Sequence, residues 1–228
     1  MEKTHHMTVM PKGFQASLQR KLRKKRFQHF LSLLRNIKPK SGNIIQILDI
    51  GGEERFWKMV SFPQDLNVKI TLLNLEEIPI ENKNLFVSVC GDARNISNFE
   101  NGSFDICFSN SVIEHVGNFE DQRKMANECS RVGLNYYIQT PNYWFFLEPH
   151  FRFPFFHFLP KKARVWLTMN FTLGNGSYKK TNEEKKAWKR VNGVELLSIR
   201  QMRELFPEGK IYREKFLGMN KSIIVYKF

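Results

Sequence analysis

The side chains best suited to moving a proton stand in two short stretches, Glu114-His115 shortly after Ser111, and Glu148 with His150 in an aromatic-rich segment. Imidazole titrates near neutrality, so a histidine at the mouth of a crevice can orient or deprotonate an acceptor hydroxyl. The same pairs can equally do no more than tie loops together by hydrogen bonds, and the residues alone leave both readings open. A different chemistry is written between Asp49 and Gly52. Glycines directly after an apolar run let the backbone turn sharply and come close to a ligand, and the first amides of a following helix point outward as unpaired donors. His29 and His157 read as packing or surface histidines, and His5-His6 as a solvated pair in a terminal tail.

The elements that must position these residues follow from the apolar pattern. Residues 45–48 form a short apolar run, a buried strand that ends at Asp49, and residues 53–61 then predict a short helix stopped by Pro63. Val68 to Leu73 is a second strand with Asn74, Glu76 and Glu77 beyond its end, and Leu85 to Val89 a third with Gly91 and Asp92 after it. Asn101-Gly102 marks a turn before an apolar strand from Phe104 to Phe108, interrupted by Asp105. Strands that each end in polar groups, joined by short crossovers, predict an α/β fold with an open parallel sheet whose ligand crevice lies at the carboxyl edge. Phe119 to Val132 is a helix with Met125, Ala126, Cys129 and Val132 on one face, and Leu134 to Ile138 a fifth strand. Pro141, Pro149, Pro154 and Pro160 forbid a long helix across the next stretch, which reads as an aromatic excursion over the sheet edge. Helices are expected at Lys161 to Asn170 and Glu183 to Arg190, then a helix capped by Ser198 with Gln201 completing a capping box. Lys210 to Phe216 and Ser222 to Tyr226 close the chain as a strand pair joined around Gly218.

The 228 residues suffice for one full domain. The division expected is a basic tail and amphipathic helix over residues 1–40, then a domain over residues 41–228 with the excursion at 140–180. Between Phe14 and Ile37, Phe14, Leu18, Leu22, Phe30, Leu31 and Leu34 recur at helical spacing among lysines and arginines. Such a helix packs its apolar stripe on the domain, or attaches to an anionic membrane surface or to nucleic acid. A formal charge of +14 permits all of these partners. Cys90, Cys107 and Cys129 form no paired motif, so neither a disulfide framework nor a metal site is expected. No apolar run reaches the roughly 18 residues of a membrane span, and the basic runs before Lys40 lack the apolar block of a secretory signal. The expected residence is cytoplasmic, with contact at the inner membrane surface left open.

Five passages together resemble one family: LDIGG at Leu48 to Gly52, TLLNLEE at Thr71 to Glu77, CGDAR at Cys90 to Arg94, FDICFSNSVIEHV at Phe104 to Val116, and the stretch from Leu205 to Phe228. The chain resembles the class I S-adenosylmethionine-dependent methyltransferases, particularly the small-substrate, methyltransferase type 11-like group. The resemblance implies a single Rossmann-like domain with a seven-stranded, mostly parallel sheet whose last strand is antiparallel, and S-adenosylmethionine as cofactor. It implies that Gly51 and Gly52 lie under the donor with Asp49 and Glu53 also at the cofactor site, that Asn74 or the nearby Glu76 stands where an acid usually meets the ribose, that Asp92 with Ala93 flanks the adenine, and that Asn110 lines the pocket. His115 and His150 become candidate catalytic bases, and Tyr143, Trp144, Glu148 and Phe151 candidate substrate contacts. Where the family carries its later glycines this chain has Glu53 and Arg55. The expected activity is methyl transfer to a hydroxyl of a small-molecule, saccharide or lipid-linked acceptor. An RNA methyltransferase, and a non-catalytic scaffold of the same fold or membrane-surface binding protein, are the rival readings.

Overall fold

The computed structural model describes residues 14–60, 62, 63, 65–176 and 178–228, with side chains described from residue 22 onward apart from Asn175. The tail histidines His5 and His6 lie outside the described residues. The chain runs α1 (Phe14–Leu34), β1 (Ile45–Ile50), α2 (Glu54–Met59), β2 (Val68–Asn74), β3 (Phe86–Cys90), β4 (Phe104–Asn110), α3 (Phe119–Val132) and β5 (Gly133–Pro141). It continues through the short strands β6 (Leu147–Glu148) and β7 (Phe153–Pro154), then α4 (Lys161–Asn170), α5 (Glu184–Asn192), α6 (Ile199–Leu205), β8 (Lys210–Phe216) and β9 (Met219–Lys227).

Seven strands form one sheet in the order β3-β2-β1-β4-β5-β9-β8. β1 pairs in parallel with both β2 and β4, while β9 runs antiparallel to β5 and to β8. The order reverses beside β1, so β1 and β4 send their crossovers in opposite directions and leave a crevice at their carboxyl ends. The expected seven-stranded sheet with an antiparallel last strand is therefore present.

Alternation along the strands divides the core in two. Leu48, Ile50, Cys107, Ile138 and Val225 face a cluster with Met125, Ala126 and Cys129 of α3 and Met202 of α6. Ile47, Ile70, Ile106, Phe108 and Ile224 face the other side, where Phe27, Phe30, Leu31 and Leu34 of α1 pack with Trp57. The second half of α1 is thus core of the domain, and Phe30, fully buried, is not available to a membrane interface. Phe14 and Leu18 belong to the stretch whose side chains are not described. No helix among the described residues is long and apolar enough to cross a membrane.

Polar residues inside the strands have specific work. Asp105, buried in β4, accepts from the Lys40 amide at 2.7 Å and the Gln46 amide at 2.8 Å, clamping the α1–β1 connection to the sheet. Ser198 and Gln201 form the expected capping box of α6. The helix expected to reach Ile37 stops at Leu34, and β4 and β5 each run two or more residues further toward the crevice than their apolar cores suggested, because ladder hydrogen bonds continue through Asn110 and Pro141.

Candidate active site at the carboxyl edge

The first turn forms around Asp49. Its carboxyl is turned inward, 1% exposed, and accepts from Trp57 Nε1 at 2.7 Å. Burial pushes it up to about 8, against the lowering effect of the tryptophan bond. Gly51 has φ 69°, a left-handed conformation that glycine adopts without steric cost, and a side chain there would meet Val112 at 2.5 Å. Gly52 is demanded by space, because a Cβ at that position would overlap the Asp49 carboxyl. Asn74, at the end of β2, donates Nδ2 to the Gly52 carbonyl at 2.9 Å, so the second strand end is bonded to the first turn. At the end of β3, Asp92 is gripped by Arg94, whose Nε lies 3.0 Å from both carboxyl oxygens and which holds the Asp92 carboxyl below its ordinary range. Ala93 is buried in the core cluster beside it. Asn110 ends β4 half-buried and lines a small recess with Arg23, Arg26 and Phe56, which the sequence pattern did not connect to it.

Beyond Asn110 the backbone is forced. Ser111 has φ 61°, uncommon for a residue with a side chain, and is held there by its amide on Gln139 O at 2.9 Å and its hydroxyl on Gln139 Oε1 at 2.8 Å. This bend throws the next turn, Ile113 to His115, across the end of β5. Glu114 is fully buried there: one carboxyl oxygen accepts from Thr140 Oγ1 at 2.9 Å and the other, Oε1, has no hydrogen-bond partner. Burial raises its carboxyl above the ordinary range, with His150 pulling the other way.

The excursion after β5 folds back so that His150 meets His115 edge to face, ring centroids 4.7 Å apart. His115 Nδ1 donates to Gly193 O at 3.0 Å, and His150 Nδ1 donates to Glu148 Oε1 at 2.7 Å. Burial first, and then the neighbouring charge of His150, pull His115 down to about 4. For His150 burial again works against the charged form, but the Glu148 bond and the charges of Glu148 and Glu114 prevail and raise it. Glu148 itself is 2% exposed and also accepts the Phe151 amide. The two candidate bases, separate in sequence, therefore form one cluster with both glutamates.

The candidate substrate contacts divide. Tyr143, Glu148 and Phe151 border a cavity of about 130 Å³ that also meets Arg164 and Glu195. Phe151 is stacked between Phe156 at 4.3 Å and Tyr178 at 4.6 Å, so it is chiefly the core of the excursion. Trp144 is 69% exposed and packs its edge on Tyr143. Sequence reasoning missed Thr140, Val112 and Arg164. A lone threonine near the end of β5, a valine just beyond β4 and one arginine among many carry no pattern of their own.

Residues 59–134 match the family described as "Methyltransferase domain". Among solved structures, the DszA carbon methyltransferase superposes with TM-score 0.52 at 12% identity, covering 96% of this chain and 56% of that one. The CurJ carbon methyltransferase gives 0.51 at 11% identity, covering 90% and 53%. The chain has the class I S-adenosylmethionine-dependent methyltransferase fold. A variant of LepI, solved in complex with SAH and a substrate analogue, also superposes at TM-score 0.51 with 9% identity over 86% of this chain and 46% of that one. A curated relative, an uncharacterized protein of Mycobacterium tuberculosis, is 28% identical over 98 residues. That match spans 43% of this chain and 32% of the relative, so the chain accounts for about a third of the relative's length. In this fold the departures from the glycine-rich turn do not strain the backbone. Glu53 is extended at φ −131°, and Arg55 is an exposed residue of α2.

Proposed function

We propose that the chain binds S-adenosylmethionine along the carboxyl edge of β1, β2, β3 and β4 and transfers its methyl group to an oxygen of a small polar, saccharide or lipid-linked acceptor. The donor lies over Gly51 and Gly52, with Glu53 toward its amino-acid end, Asn74 toward the ribose, Asp92 and Ala93 toward the adenine and Asn110 beneath the sulfonium. Methyl transfer from a sulfonium asks chiefly for an in-line approach, so holding the two reactants in place accounts for much of the rate. The acceptor hydroxyl is delivered to the cluster of Glu114, His115 and His150, which takes up or offsets its proton.

The observation that carries this reading is the meeting of His115 and His150 at 4.7 Å beside the end of β4, each ring fixed through Nδ1. A pair of oriented imidazoles at the mouth of a methyltransferase crevice suits an acceptor that must lose a proton. The cavity bordered by Tyr143, Glu148 and Arg164 gives the rest of a polar acceptor somewhere to sit, since Arg164 Nε is buried there without a hydrogen-bond partner. The test is a panel of sugars, lipid-linked sugars, phenols and short RNAs incubated with the protein and methyl-labelled donor. Label on a hydroxyl of a small or saccharide acceptor is the expected result. Label on a nucleobase would replace this reading with RNA methylation.

A further inference from the structure

Glu114, His115 and His150 each present one ligand-type atom, and these atoms lie within 4.8 Å of one another. We propose that the three side chains bind one divalent transition-metal ion, of the Zn²⁺, Co²⁺, Mn²⁺ or Fe²⁺ class, through one carboxylate oxygen and two imidazole nitrogens. Two nitrogens and one carboxylate form a set of borderline softness, which suits these ions better than the all-oxygen preference of Mg²⁺ or Ca²⁺.

Two independent features distinguish the cluster from a chance gathering of polar groups. Glu114 is fully buried, and its Oε1 has no hydrogen-bond partner, a costly arrangement for a carboxylate that a cation would relieve. Each side chain is also oriented from behind: Glu114 by Thr140 at 2.9 Å, His115 by the Gly193 carbonyl at 3.0 Å, and His150 by Glu148 at 2.7 Å. A carboxylate or carbonyl on Nδ1 sets the tautomer that offers Nε2 to a metal, and this backing is the usual companion of a metal-bound histidine. Ligands of one tetrahedral ion with bonds of roughly 2.0–2.1 Å stand roughly 3.3 Å apart. The ligand atoms, now within 4.8 Å of one another, must therefore draw together around the ion. Three protein ligands leave at least one position open toward the crevice.

The site stands on its own geometry. Only its role rests on the methyl-transfer reading: an acceptor hydroxyl in the open position would be acidified by the ion and lose its proton to water. Its oxygen lone pair then forms the O–CH₃ bond while the S–CH₃ bonding pair stays on sulfur as a thioether.

The test titrates Co²⁺ into the full chain carrying His5→Gln and His6→Gln, so that the tail pair contributes nothing, with no methyl donor present. Visible absorption of the cobalt ion reports its coordination, and equilibrium dialysis with metal analysis reports its stoichiometry. The proposal expects one ion per chain, bands of a four- or five-coordinate site, loss of both in His150→Ala and His115→Ala, and affinity lowered about 10–100-fold in Glu148→Gln, which removes only the backing charge. His29→Gln, a change outside the cluster, should bind as the parent does. No bound ion at millimolar Co²⁺, or binding unchanged by all three cluster variants, overturns the proposal. A failure of either kind leaves donor binding untouched, so it is distinguishable from failure of the methyl-transfer reading.

Discussion

Replacing Gly52 by alanine isolates what the first turn is built around. The added methyl would overlap the Asp49 carboxyl, so Asp49 must rotate and give up its 2.7 Å bond to Trp57. Both partners are 1% exposed, so neither finds water in exchange. Leaving a buried polar pair unsatisfied costs about 1–3 kcal/mol, and overpacking the surrounding core adds about 1–3 kcal/mol. The sum, about 2–6 kcal/mol, corresponds to a fall in Tm of roughly 4–24 °C for a domain of this size. The assay is thermal and urea unfolding followed by circular dichroism, performed as a double-mutant cycle. In an Asp49→Ala background the obstacle is gone, and Gly52→Ala should then cost less than about 1 kcal/mol, leaving a coupling energy of a few kcal/mol. A Tm for Gly52→Ala within about 1 °C of the parent, or an equal cost in both backgrounds, would refute the claim that space for Asp49 requires this glycine.

Three further outcomes are expected. Asp49 has its carboxyl raised from 3.8 to about 8 in the folded chain, so between those values the folded state holds a proton that the unfolded state has lost; this contribution makes stability fall as pH climbs through that window and level off above it, bounded at roughly 6 kcal/mol. Asp49→Asn keeps an acceptor for Trp57 and should flatten the profile, as urea midpoints measured from pH 5 to 9 will report. Thr140→Val leaves both Glu114 oxygens without a side-chain donor and should cost about 1–3 kcal/mol, with turnover reduced and donor affinity unchanged by calorimetry. Deleting residues 1–39 strips Phe27, Phe30, Leu31 and Leu34 from the core; at about 1.5–3 kcal/mol each, their loss of about 6–12 kcal/mol rivals a typical domain's whole stability. That truncated chain should lack a cooperative unfolding transition, whereas Lys24→Glu with Lys25→Glu, both on the exposed side of α1, should unfold like the parent.

Much of the sheet was legible because strands here are short apolar runs ending in Asp, Asn or Gly, and that punctuation survives without any partner in view. The seven-strand count and the antiparallel β9 came through the family resemblance rather than through periodicity, and the strand order appears only in the fold. Within α1 the stripe was read without Phe27, yet Phe27 is 3% exposed, touches Phe30, Phe56 and Trp57, and stands with Phe30, Leu31 and Leu34 at i, i+3, i+4 and i+7, so helical spacing did carry it. At the site, the residues at strand ends could be named, but their pairings could not. Asn74 bonds the Gly52 carbonyl, Asp92 is taken by Arg94, and Asp49 faces Trp57 inside the protein. The meeting of His115 with His150 depends on how a proline-broken excursion folds back, which no local pattern encodes. Consequently a ligand set invisible to cysteine and histidine spacing emerged from residues assigned to acid–base work.

Calorimetric titration of the intact chain with S-adenosylmethionine and with its demethylated product, S-adenosylhomocysteine, tests the central claim most directly. The account predicts that both saturate one site per chain and that each is weakened by Asp92→Ala and by Asn110→Ala, with the fold unchanged by circular dichroism. An absence of heat for both ligands at millimolar concentration, with the protein folded, would contradict it.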